Sequence, residues 1–410
     1  MRYGAASMAA PAARRRTSKS FAETRMAARS RRTPRARAPQ SAWEQFAAMS
    51  QAALQPPSTP AAKSAAKRVK KRGGAREAPA AKGTRSPSQA TAQALRLGRR
   101  QAEWVVEQRA PLRARRAGVV AAAAAKAAPR AKPGAKKAPA RKTVVRRATA
   151  GATTAAATGS RGVLVAEGDS WFDYPFYDVL KRLDDEFGWD VEHVAHRGDS
   201  VESMAYDGGQ LADFVHAIER VVRRGDVPHA ILVSGGGNDV AGEGFGMLLN
   251  HRSSPIYGLN DAIVAGVMET RIRVAYTTVL SAVTAACDSL LGARVPILLH
   301  GYDYPVPDGR GFLGGWGPLP GPWLEPGFRE KGYTSLPERV AIARDLIDRF
   351  YAMLAQVVAT PAFAHVTLVD LRNTLSTDLA NARYKDWWGN ELHPTLPGFS
   401  KVAGLFDAKL

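Results

Sequence analysis

Beyond residue 160 the chain alternates between two kinds of segment. Short apolar runs, GVLVAEG (162–168), DVEHVAH (190–196), HAILVSGG (229–236), VPILLHG (295–301) and HVTLVDL (365–371), read as strands. Between them lie stretches with helical periodicity, at 175–188, 208–225, 261–292 and 336–359, and TLPGFSKVAGLFDAKL closes the chain as a helix. Strands that alternate with helices cannot pair as hairpins. They form parallel βαβ units, here five strands in a doubly wound sheet with an α/β fold. In such a sheet a ligand sits at the carboxyl ends of the strands, so the pattern also limits where chemistry can occur.

The first 160 residues are of another kind. The formal net charge of +21 hides a division: residues 1–160 carry 36 Lys+Arg against 5 Asp+Glu, and the remainder carries 22 against 32. The basic part is rich in Ala, Arg, Lys and Pro, as in AAAAAKAAPRAKPGAKKAPARK (Ala121 to Lys142). Such a composition buries too little apolar surface to offset its ordering entropy. The expected organisation is therefore a disordered basic tail and linker over 1–160, followed by one globular domain over 161–410. Two stretches, Ser41–Leu54 and Ser88–Gln108, have the spacing of short amphipathic helices. The tail resembles, in composition, the tails of bacterial histone H1-like proteins. Residues 1–147 are suited to nonspecific binding of nucleic acid or another polyanion through phosphates, without base stacking.

Cys287 is the one cysteine, so no intrachain disulfide forms and a reducing compartment fits. No apolar h-region follows the N-terminal arginines, and no run of about 18 uncharged apolar residues suggests a membrane span. A cytoplasmic protein is the expectation. His193 and His196 fall on opposite faces of a strand, and no His-Glu-x-x-His occurs, so no metal or other cofactor is implied.

Four groups converge on the carboxyl edge of the expected sheet. Gly168-Asp169-Ser170 ends the first strand, His196-Arg197-Gly198 the second, and Gly235-Gly236-Gly237-Asn238-Asp239 the third; His393 precedes the last helix. Acyl transfer needs this set. A serine attacks the carbonyl carbon, a histidine takes and returns the proton, and a glycine N–H with an Asn side-chain amide holds the oxyanion. The tripeptide Gly-Asp-Ser recurs at Gly198-Asp199-Ser200, so it does not by itself choose the nucleophile. Each block also has a plainer reading: a strand-to-helix turn, a helix cap, a surface histidine.

Taken in order, the blocks resemble those of the SGNH hydrolase superfamily, also called GDSL esterases and lipases. Its first block is similar to Gly168-Asp169-Ser170, its second to Gly198, its third to Gly236-Gly237-Asn238-Asp239, and its last to Asn390-Glu391-Leu392-His393-Pro394. The resemblance covers roughly residues 161–410. It implies a flavodoxin-like three-layer α/β/α sandwich and a serine hydrolase of carboxylic esters. Ser170 would be the nucleophile and His393 the general base. The Ser170 N–H, Gly198 N–H and Asn238 amide would form the oxyanion hole, and Ser200 would cap a helix. The competing reading is a polyanion-binding protein whose hydrolase-like body is a weakly active or inactive scaffold.

One block departs from the pattern. The family's aspartate three residues before the histidine is Asn390 here. Asn390 can hold the imidazole ring but cannot offset its charge, which leaves Asp386, Glu391 or a bare Ser–His dyad as alternatives. After the fourth strand, residues 301–333 form a connection far longer than usual. Its Tyr302, Tyr304, Phe312, Trp316 and Trp323, with Trp171, Phe172 and Tyr174 beside the serine, are candidates to wall a pocket for a lipid or sugar ester.

Overall fold

In the computed structural model the described residues are 86–127 and 159–410, except Gly208 and 315–318. The helix expected over Ser41–Leu54, and most of the basic segment expected to be disordered and to bind polyanions, fall outside them.

The five expected strands form one parallel sheet. They are β1 (Val163–Glu167), β2 (Asp190–His193), β3 (Pro228–Val233), β4 (Ile297–His300) and β5 (Val366–Val369), in the order β2-β1-β3-β4-β5. Every neighbouring pair is parallel, and the order is the flavodoxin-like one. The chain reverses direction across the sheet between β1 and β3, which puts the switch point beside the end of β1.

The helices form where apolar periodicity meets end signals. Helix α2 (Val179–Phe187) is capped by the Asp178 side chain and closed by Gly188 at φ +73°. Helix α3 (Val201–Tyr206) begins at Ser200, whose side chain exchanges hydrogen bonds with Ser203 in a capping box. Asp239 adds a carboxylate that accepts from the Val201 N–H at 2.8 Å. Helix α4 (Gln210–Arg224) ends at Gly225. The core is continuous from the sheet into these helices, with Leu164, Val165, Ile231, Leu232 and Leu299 inaccessible to solvent.

The composition boundary at residue 160 does not bound the fold. Helix α1 (Pro87–Ala127) packs its first half along the helical segment Asp261–Leu291, here α5. Ala94, Leu97, Gln101, Ala102 and Val105 are buried there. Ser281 Oγ donates to the Leu95 carbonyl at 2.6 Å, Gln101 Nε2 to the Ala205 carbonyl at 3.2 Å, and Arg109 pairs with Glu219 of α4. A Cβ at Gly98 would lie 2.1 Å from the Thr278 carbonyl oxygen, so only glycine permits this approach. The helix expected over Ser88–Gln108 is thus present, within the longer Pro87–Ala127, and its first half packs on the body over 161–410 where a tail and linker were expected. Ala94, Gly98 and Ala102 on the docked face are small residues like those of the alanine-rich segment around them, so the spacing showed a helix without showing the close crossing. Helix α5 is long and apolar enough to cross a membrane by length and composition, yet it is mostly buried between α1 and the rest of the body.

Candidate active site

Glu167 is the last residue of β1, and the chain then turns sharply. Phe172 N and Asp173 N both donate to the Asp169 carbonyl at 3.0 Å, which lifts Ser170 to the edge of the sheet. Gly168 is required there: a Cβ would fall 2.7 Å from Ser234 Cβ. The Asp169 carboxylate points inward and is fully buried. It accepts from the Trp171 N–H at 3.0 Å, from Ser234 Oγ at 2.8 Å, and from the Tyr302 hydroxyl. Burial raises the Asp169 carboxyl above its ordinary range, opposed by these three donors.

His393 comes from the opposite end of the chain. Residues 389–394 fold into a tight turn, closed by a bridge between Trp388 and Pro394. The turn is tied to the serine loop by Trp171 Nε1, which donates to the Leu392 carbonyl at 3.0 Å. His393 Nε2 then lies 2.7 Å from Ser170 Oγ. Tyr174 stacks on the imidazole at 4.3 Å between centroids, and Trp323 meets it edge-on at 5.4 Å. Burial holds the imidazole neutral, lowering its pKa to about 3.

Asn390 occupies the third position. Its Oδ1 accepts from the Leu392 and His393 N–H groups at 2.9 Å each, and Nδ2 donates to the Tyr174 hydroxyl at 2.9 Å. Those partners fix which end of the amide faces the ring. Oδ1 lies 3.0 Å from His393 Nδ1, so Nδ1 carries the proton and Nε2 is free to accept from Ser170. The two alternatives fail on position. The Asp386 side chain is exposed, and only its carbonyl engages the turn, accepting from Thr395 Oγ1. Glu391 is buried but turned away, accepting backbone N–H bonds from Gly309, Trp323, Leu324 and Glu325 at 2.7–3.0 Å.

Gly198 and Asn238 face the same opening as Ser170 and His393. Gly198 has φ +92°, a left-handed conformation that glycine adopts without strain. Asn238 Nδ2 donates one hydrogen to the Asp199 carbonyl at 2.9 Å, which orients the amide. Gly236, at φ +100°, has Phe350 against the position a Cβ would take. Ser200, in the second Gly-Asp-Ser, caps α3 and has no part in this cluster.

Two cavities meet at the serine. One, of about 330 Å³, is lined by Ser170, Tyr174, Arg197, Gly198, Phe312, Trp323 and His393. The other, of about 70 Å³, shares Ser170, Asn238 and Leu392 with the first. Of the aromatic residues expected to wall a pocket, Tyr174, Phe312 and Trp323 line the larger cavity, and Trp171 and Tyr302 the smaller. Phe172 and Tyr304 do not. Phe172 packs on His300 and Phe406, and the Tyr304 hydroxyl donates to Asp348. Trp316 lies outside the described residues.

The sequence did not reveal the support beneath the serine. His300 Nδ1 accepts from the Tyr302 N–H at 3.2 Å, so Nε2 donates to Ser234 Oγ at 2.9 Å, and Ser234 donates to Asp169. The Tyr302 hydroxyl donates to Asp169 and accepts from the Gly237 N–H at 3.0 Å. Tyr302 holds φ +66°, a strained value for a residue with a ring. No short motif carries these contacts, which, apart from the local one between Tyr302 and His300, join positions 65 or more residues apart.

No family model matches the sequence, and no curated protein matches it. Solved structures do match the C-terminal part. Axe2, an acetylxylan esterase from Geobacillus stearothermophilus, is 16% identical, with 62% of this chain and 95% of that chain covered and a TM-score of 0.32. A protein given as a GDSL-like lipase from Parabacteroides merdae is 15% identical, over 61% and 95% of the two chains, with a TM-score of 0.32. LAE5, an alpha/beta hydrolase enzyme from the metagenome of Lake Arreo, Spain, is 16% identical over 61% and 94%, with a TM-score of 0.30. The sequence blocks resemble the same broad group. At these identities and TM-scores the likeness assigns this chain neither activity nor substrate.

Proposed function

We propose that the protein is a serine hydrolase of carboxylic esters acting through an acyl-enzyme on Ser170. The observation that carries this reading is the 2.7 Å contact between Ser170 Oγ and His393 Nε2, with Asn390 holding the ring in the tautomer the reaction needs. Ser170 Oγ attacks the ester carbonyl carbon as its proton passes to His393 Nε2. The negative oxygen of the tetrahedral intermediate is received by the Asn238 amide and the N–H groups of Gly198 and Ser170. The bond to the alcohol oxygen then breaks, and His393 returns the proton to that oxygen. Water attacks the acyl-enzyme in the second half. His393 takes its proton and gives it to Ser170 Oγ as the acid leaves.

The test is fluorophosphonate labelling and p-nitrophenyl ester hydrolysis by the full chain, comparing wild type with Ser170→Ala and His393→Ala. Labelling and turnover are expected in wild type and lost in Ser170→Ala. A folded wild-type protein that neither labels nor hydrolyses any ester would end this reading.

A further inference from the structure

The two cavities at Ser170 differ in size and in lining, and the chemistry proposed above says which part of an ester each receives. The general acid must face the departing alcohol oxygen, because it returns the proton there. His393 lines only the larger cavity. The alcohol therefore leaves on that side, and the acyl chain points into the smaller cavity, which keeps Ser170 and Asn238 but not His393.

The smaller cavity is lined chiefly by apolar side chains, among them Val240, Ala241, Phe245, Ala343, Leu346 and Trp388. Most of its polar neighbours are already satisfied, the exception being the buried Trp388 Nε1, which has no hydrogen-bond partner. The Tyr302 hydroxyl is held between Asp169 and Gly237. The Asp303 carboxylate accepts from the N–H groups of Tyr304 and Asn373 at 2.7 and 2.9 Å, and from Leu375. A carboxylate on an acyl chain would meet no cationic side chain there and two buried carboxylates, Asp169 and Asp303, and burying such a charge unpaired is costly.

Volume sets the length. A dry apolar cavity of about 150 Å³ holds benzene, with six carbons. A cavity of about 70 Å³ thus holds about three carbons beyond the carbonyl. Resting on the hydrolase reading, we infer that the substrate is an ester of a short, uncharged acid, from acetyl to butyryl, with the bulk of the molecule on the alcohol side. There Tyr174, Phe312 and Trp323 offer ring faces and edges in a cavity several times larger.

The experiment is a p-nitrophenyl acetate, butyrate and octanoate series on the full chain, read as kcat/KM. Octanoate is expected to fall at least about 10-fold below butyrate, the discrimination an apolar pocket gives for excess methylenes. Leu346→Ala, which opens the cavity floor, should raise the octanoate-to-acetate ratio. Ala343→Leu, which fills it, should lower the butyrate-to-acetate ratio. Both ratios are independent of how much of a variant folds. Octanoate turned over as well as butyrate, or ratios unmoved in both variants, would overturn the short-acyl assignment and leave the hydrolase intact. Absence of turnover and of fluorophosphonate labelling in folded wild type would overturn the hydrolase reading itself, and this inference with it.

Discussion

Asn390 Oδ1 lies 3.0 Å from His393 Nδ1 and accepts its proton without carrying a charge. In serine proteases the equivalent exchange of aspartate for asparagine costs about 10⁴ in kcat, largely because the wrong tautomer results. Here the tautomer is correct, since two backbone N–H groups hold Oδ1 toward the ring. What is missing is only the charge that would offset the imidazolium.

Asn390→Asp is therefore expected to raise kcat for p-nitrophenyl acetate by about 10-fold or more, short of the full protease factor. The pH profile should move with it. Burial lowers the wild-type His393 pKa to about 3, so the base stays deprotonated and kcat/KM keeps its value well below the ordinary imidazole range. An aspartate beside Nδ1 favours the charged ring and shifts the acid limb to higher pH. A limb that stays in place, or moves down, would show that position 390 does not govern His393.

Tyr302 joins the serine loop to the loop that carries Asn238, through Asp169 on one side and the Gly237 N–H on the other. Burial and the nearby Asp169 carboxylate hold its phenol well above the ordinary range, so it remains a donor at any working pH. Tyr302→Phe should lower kcat about 10-fold with KM nearly unchanged, because the oxyanion donor loses its placement rather than its identity. Equal losses in kcat and in protein folding, followed by circular dichroism, would reduce Tyr302 to a packing residue.

The repeated tripeptide gives a separable pair of outcomes. Ser200→Ala removes the α3 cap and should cost about 1 kcal/mol in urea unfolding, with fluorophosphonate labelling retained. Ser170→Ala should leave stability nearly unchanged and abolish labelling.

Glu391 holds the long connection after β4 by accepting four backbone N–H bonds. Glu391→Gln keeps one acceptor oxygen and puts an amide donor against N–H groups. It should cost about 2 kcal/mol or more of stability and speed proteolysis within 309–325. Unchanged cleavage there would mean that the connection is held by its own packing.

Gly98 sits where α1 crosses α5 with no room for a side chain. Gly98→Leu should undock the helix, seen as faster hydrogen exchange over 94–105 and a lower unfolding midpoint. No change in either would mean that the crossing yields easily.

The sheet and the pairing of Ser170 with His393 were legible in the sequence because both rest on short-range signals. Apolar runs between helical periods give parallel βαβ units, with the flavodoxin-like arrangement implied by the family resemblance; Ser170 and Asn238 follow recognisable strand ends, and His393 precedes the last helix. The third position was not legible. Asp386, Asn390 and Glu391 are near neighbours in sequence, and only the tight turn at 389–394 decides that one faces the ring, one faces solvent and one faces the loop. The His300–Ser234–Asp169 chain was hidden for a different reason, since its members come from the carboxyl ends of three strands far apart in sequence. A helix over Ser88–Gln108 was legible, but its docking on the body was not, because alanine and glycine at a helix crossing look like the low-complexity sequence around them.

The docked first half of α1 changes what counts as a module in this chain. A fragment begun at the change in composition near residue 160 would leave bare the trough on α5 that Ala94, Leu97, Ala102 and Val105 cover. Its apolar floor would then be offered to other copies of the fragment, and aggregation in such a preparation would be an artefact of where the gene was cut. An expression boundary just ahead of Ser86 keeps that wall of the body in place.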